Sequence, residues 1–226
     1  FEPAHFRELF PWLSENLWKP VAVEPERFAS ACRAFYREKT LSRAHELFRQ
    51  AGELEDAALI NGEAIPPLAA LLDEVPWERL HKAARPFAFH GDLQPDNILK
   101  GSGGFRLLDW RQDFGGETEF GDLYYDLAKM AGGIELLYDA IKRNDFSFKR
   151  SDKELTFRLP AHPRQAEIQS IFDSFLEAEN LSAGLVELHR ALIYCNMACL
   201  HQPPFRELLY SLGRLRLFQA LRSAAG

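Results

Sequence analysis

The sequence predicts an α+β chain, mostly helical, with its chemistry gathered on one small β-hairpin. Three observations predict this. Apolar residues recur at helical spacing across most of the 226 residues. One stretch, FAFHGDLQPDNILKGSGGFRLLDW (residues 87–110), interrupts that spacing with short apolar runs around a glycine-rich turn. No internal repeat and no low-complexity tract is present.

The elements follow in order. Phe6, Leu9, Phe10, Leu13 and Leu17 give a first helix over 6–18. Phe28, Cys32, Phe35, Leu41, Ala44, Leu47 and Phe48 put a stripe along one long helix over 25–50. Residues 66–85 predict a helix or a pair, broken at Pro76. FAF, ILK and FRLLDW predict short strands, with GSGG (101–104) as the hairpin turn and Lys100 and Arg106 on its solvent face. Asp122 is placed to cap a helix that ends at Gly132 and Gly133. DFSFK (145–149) and ELTFRL (154–159) alternate as a second hairpin, and 163–223 is helical again.

Composition narrows the function classes. Apolar residues make up 46% and eighteen are Phe, enough for a folded core. A net charge of −6 argues against nucleic-acid binding, which favours a basic face. Three cysteines do not make a disulfide framework, so a reducing, cytoplasmic setting is expected. The longest apolar runs, such as LIYCNMACL, reach about half of the ~20 residues a membrane helix needs, so no membrane partner is expected. The chain starts at Phe1 and its only methionines are Met130 and Met197, so an upstream segment is expected and a signal peptide stays open.

A tight hairpin brings the residue before its first strand and the residue after its second to one end. Asn97 and Asp109 occupy those positions. Two hard oxygen ligands there, with room for phosphate oxygens and water, suit Mg²⁺. Asp92, five positions before Asn97, is placed to orient a hydroxyl and accept its proton. That set suits phosphoryl transfer, where positioning and charge neutralisation do most of the catalysis. Asp126 lies on the flank of the Leu123, Leu127 and Met130 stripe, and a carboxylate turned toward a core needs a partner.

HGDLQPDNIL followed by LLDW, with GDLYYDLAK beyond, resembles the aminoglycoside phosphotransferase and choline kinase family, small-molecule relatives of the protein kinases. The motifs stand in family order and spacing over residues 87–131. The resemblance implies a kinase-like C-terminal lobe over 1–226, with the catalytic loop and metal site at 87–131 and a helical substrate-binding region at 132–226. It implies Asp92 as catalytic base and Asn97 and Asp109 as Mg²⁺ ligands. His90 would brace the loop, and Asp126 would hold its backbone. ATP would be the cosubstrate and a small hydroxylated metabolite the acceptor, its binding residues unassigned. Gln94 replaces the lysine of protein kinases, and the eleven residues between Asp109 and Gly121 leave no room for a polypeptide-binding activation segment. No glycine-rich phosphate loop with a strand lysine is present, so the ATP lobe is expected upstream in the same protein.

GDLYYDLAK and FYREKTLSR together resemble a bacterial branch near surface-polysaccharide genes, which implies a sugar or sugar derivative as acceptor. Choline or another cationic alcohol stays open, with Trp110, Tyr124 and Tyr125 as aromatic walls. So does an aminoglycoside, drawn by the acidic loop of Asp113, Glu117, Glu119 and Asp122. A pseudokinase or regulatory binding module is the alternative from another class, and the kinase-like lobe of a larger multidomain enzyme is a third reading. Cys195, Cys199, His201 and His189 form a second polar group, for which core packing is preferred over zinc.

Overall fold

The computed structural model describes residues 2–225; Phe1 and Gly226, the ends of the expected lobe, lie outside them. Helix α1 (Pro3–Asn16) opens on a capping box between Glu2 and His5 and buries Phe6, Leu9, Phe10 and Leu13. Helix α2 (Pro25–Cys32) is capped by the Glu24 carboxylate, which accepts from Glu26 and Arg27 N–H. It runs through a π-helical segment (Arg33–Glu38) into α3 (Lys39–Ala51), so the expected long helix is one rod with a π turn at its middle. Leu41 leaves the expected stripe and is exposed. Each turn of the rod holds slightly more residues through the π segment, which rotates the positions that follow.

Strands β1 (Leu59–Ile60) and β2 (Glu63–Ala64) come next, then α4 (Leu68–Asp73) and α5 (Trp77–Ala83) on either side of Pro76. Strand β3 (Pro86–Phe87) precedes the hairpin of β4 (Ile98–Gly101) and β5 (Gly104–Leu107), whose register pairs Ile98 with Leu107. The FAF run does not join that hairpin. Strand β3 pairs instead with β6 (Gly121–Asp122), which leads into α6 (Leu123–Leu136).

Asp122 caps α6 as expected, accepting from Tyr124 N–H, but the helix does not stop at Gly132 and Gly133. Those glycines serve close packing instead. A Cβ on Gly133 would overlap Pro95 Cδ, and one on Gly132 would lie 3.4 Å from the Tyr194 ring. The helix ends at Leu137, in the left-handed region. All of α6 is buried, which makes it the central helix.

Short α7 (Tyr138–Lys142) leads to β7 (Ser147–Arg150) and β8 (Glu154–Arg158), the expected second hairpin. It is extended into a four-stranded sheet, β2-β1-β8-β7, with β1 and β8 parallel. Helices α8 (Gln165–Ala178), α9 (Ala183–Ala198) and α10 (Phe205–Ala225) close the chain. With 59% helix and 13% strand, the fold is the mostly helical α+β class expected.

Two apolar clusters hold it together. One gathers α1, α2, the π segment, most of α6 and α8; the other gathers α3, α4, α9 and α10 under the four-stranded sheet. Trp77, Leu185 and Met197 touch both. Buried Glu135 of α6 pins α9 and α10, accepting from Tyr194 Oη at 2.7 Å and Arg216 Nε at 3.0 Å with Arg190 at 3.4 Å. No helix among the described residues is long and apolar enough to cross a membrane.

Candidate active site

The segment between β3 and β4 carries HGDLQPDN, and its shape starts at Gly91. This residue has φ +80°, and a Cβ there would run into Arg111 and the Phe89 ring, so only glycine fits. The neighbouring amides are fastened from below. His90 and Gly91 N–H donate to the two Asp126 oxygens at 2.7 Å each, and the Trp18 indole donates to Oδ2 at 3.2 Å. Asp126 is fully buried. Burial outweighs the three donors, which pull the other way, and its pKa is pushed up to about 6. At neutral pH it is therefore a carboxylate that ties the loop to α6.

Asp92 follows, its side chain about one-third exposed at 33%. Its Oδ1 lies 2.6 Å from Lys129 Nζ, and its Oδ2 accepts from Asn97 Nδ2 at 3.1 Å. The same Asn97 nitrogen donates to the Asp92 carbonyl at 2.9 Å. Asn97 is thus held with its amide nitrogen used up and its Oδ1 without a protein donor among the described residues. Lys129 projects from α6 one turn beyond Asp126 and is buried. Burial opposes its charge, but Tyr138, Tyr125 and Asp92 favour it and prevail, so its pKa stands above the ordinary lysine value.

Asp109 lies two residues past β5, exposed, with φ +56°, a left-handed conformation that Asp tolerates. Leu108 N–H donates to the Asn97 carbonyl at 2.8 Å, which draws the two ends of the hairpin together. Asn97 and Asp109 therefore share the open end of the hairpin. His90 stands between the two segments. Its Nδ1 accepts from Asp92 N–H at 3.2 Å, its carbonyl accepts from Arg111 N–H at 3.0 Å, and its ring lies 4.8 Å from that of Trp110. Burial lowers its pKa against the opposing pull of the Leu108 carbonyl, Asp92 and Asp109. With Nδ1 accepting from Asp92 N–H, the neutral ring carries its proton on the buried Nε2.

No group of three His, Cys, Asp or Glu side chains placed to hold a metal ion occurs among the described residues. Asn97 and Asp109 offer one amide oxygen and one carboxylate, a donor set that fits a hard cation completing its shell with water and phosphate.

Other expected features are otherwise committed. Tyr124 is no open wall: it is buried, its hydroxyl accepts from Ser182 N–H at 3.2 Å, and its ring stacks toward His189. The acidic loop is largely spent on its own architecture. Glu117 and Glu119 pair with Arg27, Asp113 accepts from Gly116 N–H, and buried Asp122 accepts from Tyr36, Arg85 and Tyr124. Cys195 and Cys199 are buried free thiols, and Gly213 lets α10 press onto Cys195, as core packing predicts. His201 packs on Phe205, and His189 holds the Leu185 carbonyl through Nδ1 at 2.8 Å.

Sequence reasoning missed Lys129, the residue nearest the Asp92 carboxylate. The signal was there: Lys129 closes GDLYYDLAK, three residues after Asp126, so the two must share a helix face. Comparison of the chain with protein-family models, with curated proteins and with solved structures found no match.

Proposed function

We propose that this chain is the catalytic lobe of a phosphotransferase that moves the γ-phosphoryl group of ATP to a hydroxyl of a small metabolite, a sugar or sugar derivative being the favoured class. The observation that carries this reading is the carboxylate of Asp92, solvent-facing yet held on both oxygens, beside two oxygen donors at the hairpin's open end. Asp92 orients the acceptor hydroxyl and takes its proton as the oxygen attacks phosphorus. Lys129 pairs with one Asp92 oxygen and fixes its direction, and Asn97 fixes the second oxygen. Asn97 Oδ1 and Asp109 are the residues that would hold Mg²⁺. Bound there, Mg²⁺ would neutralise phosphate charge. Asp126, through the His90 and Gly91 amides, keeps the loop at its set height over α6. The motif resemblance to the aminoglycoside phosphotransferase and choline kinase family supports the same reading.

The test is ATP consumption by the full-length protein with Mg²⁺, across a panel of sugars, amino alcohols and aminoglycosides. Acceptor-stimulated turnover that EDTA abolishes and added Mg²⁺ restores is the expected result. Absence of both turnover and Mg²⁺-dependent nucleotide binding would overturn the reading and leave a non-catalytic binding module in its place.

A further inference from the structure

About half of the arginines have a carboxylate within ion-pair distance among the described residues. Arg27, Arg33, Arg49, Arg190 and Arg216 all do. Three cations next to the Asp92 loop do not. Lys39, Arg43 and Arg111 have no carboxylate within ion-pair distance among the described residues, and all three are partly buried.

Their placement is built by the fold. The π-helical segment ends where Lys39 N–H donates to the Ala34 carbonyl, and the rod then carries Lys39 and Arg43 one turn apart on one face. Lys39 Nζ sits 3.0 Å from the centre of the Phe35 ring and 5.6 Å from that of Tyr125. Arg111 lies over the same two rings, at 5.4 Å and 5.7 Å. Its Nε donates to the Gly91 carbonyl at 3.1 Å and its Nη2 reaches the Tyr125 hydroxyl at 3.5 Å, so it adjoins Asp92 through the loop backbone. Arg43 makes one long bond, 3.4 Å to the Asn196 carbonyl. Tyr125 and Lys129 share a face of α6, which places Lys129 on the far side of the group.

Like charges gathered this way repel, and the effect is visible on Lys39. Burial lowers its pKa to about 6, with Arg111, Arg43 and Lys129 adding to the fall and Asp113 opposing it, so the empty cluster leaves this amine largely neutral near pH 7 and an anion beside it would restore its charge. A cluster that is costly when empty is stabilised by an anion. The cavity of about 550 Å³ on the opposite side of the loop, beside Pro95 and Asp96, makes no such demand. Arg143, which lines it, is already matched to Asp145.

We propose that Lys39, Arg43 and Arg111 form an anion-binding site beside Asp92, and that the phosphoryl acceptor carries a phosphate or carboxylate group which this site holds. The first half stands on the cluster itself; the second rests on the phosphotransferase reading. Of the three aromatic faces named for a cationic alcohol, Tyr125 carries Lys39 and Arg111 and Tyr124 carries Arg85, while Trp110 alone stays exposed, against the His90 ring, which argues against an aromatic cage for choline or an aminoglycoside.

The test is calorimetric titration of inorganic phosphate into the full-length protein, with and without saturating Mg²⁺-ATP. Phosphate is expected to bind in both conditions. Lys39→Met, which keeps the aliphatic stem on Phe35, and Arg43→Gln are each expected to weaken it by about tenfold or more, with an unchanged circular dichroism spectrum. No binding, or equal binding by wild type and both variants, would overturn the site. Phosphate displaced by Mg²⁺-ATP would assign the anion to the nucleotide and overturn the acceptor half. Asp92→Asn separates the two readings, since it is expected to keep phosphate binding while losing turnover. A wild type that binds phosphate but shows no turnover with any acceptor would sink the phosphotransferase reading and leave the anion site standing.

Discussion

Asp126 shows how one buried side chain sets the loop between β3 and β4. Three N–H donors converge on it, from Trp18, His90 and Gly91. Its folded-state pKa of about 6 lies above the ordinary carboxylate value of 3.8, so the folded chain holds this proton more tightly than the unfolded chain does. The stability that proton binding contributes is therefore full below about pH 4 and is lost as pH rises toward 6, by up to about 3 kcal/mol. Asp126→Asn has no such proton. Urea unfolding of both proteins between pH 4 and 6.5 should show wild type losing stability relative to the variant across that window. A relative gain would mean that the three donors outweigh burial and hold the pKa below its ordinary value. Asp92, Asn97 and Asp109 were legible in the sequence because a hairpin turn fixes which residues meet at its open end. Lys129 was not singled out, because its role depends on where α6 lies under the loop, and that is set by tertiary packing.

At the scale of elements, the long helices were legible from their apolar period, and the short strands were not. β1, β2, β3 and β6 have two residues each, too few for an alternation to register. The end of α6 was misplaced for a different physical reason: paired glycines mark a helix terminus and a close helix contact equally well, and only the Pro95 and Tyr194 neighbours decide between them. Packing of α10 depends on one residue the sequence did not flag. Arg214 is fully buried. It donates to Pro66 and Ala57 carbonyls at 2.7 Å, to Ile65 at 2.6 Å and to Tyr210 Oη at 3.0 Å, clasping the loops around β1 and β2. Arg214→Met keeps most of the volume but leaves those carbonyls without donors. A loss of at least about 3 kcal/mol in urea unfolding is expected. A loss below about 1 kcal/mol would show that water or local rearrangement replaces the clasp.

Across the whole molecule, the candidate site packs on the first apolar cluster through Leu93 and Ile98. The rod of α2 and α3 serves one cluster up to Tyr36 and the other from Ala44, with Lys39 and Arg43 at the crossing. Helix α6 runs through the same region, presenting Asp126 to the loop backbone and Lys129 to Asp92. Rigid elements on both sides thus hold charged groups that no local sequence pattern would have brought together. The central claim is that Asp92 is the base. The most direct measurement is phosphoryl transfer from ATP under saturating Mg²⁺ by full-length wild type and Asp92→Asn, with whichever acceptor stimulates turnover. A fall in kcat of about 10²- to 10⁴-fold, with the KM for ATP little changed, is the predicted result. A variant that transfers phosphate at the wild-type rate would contradict it.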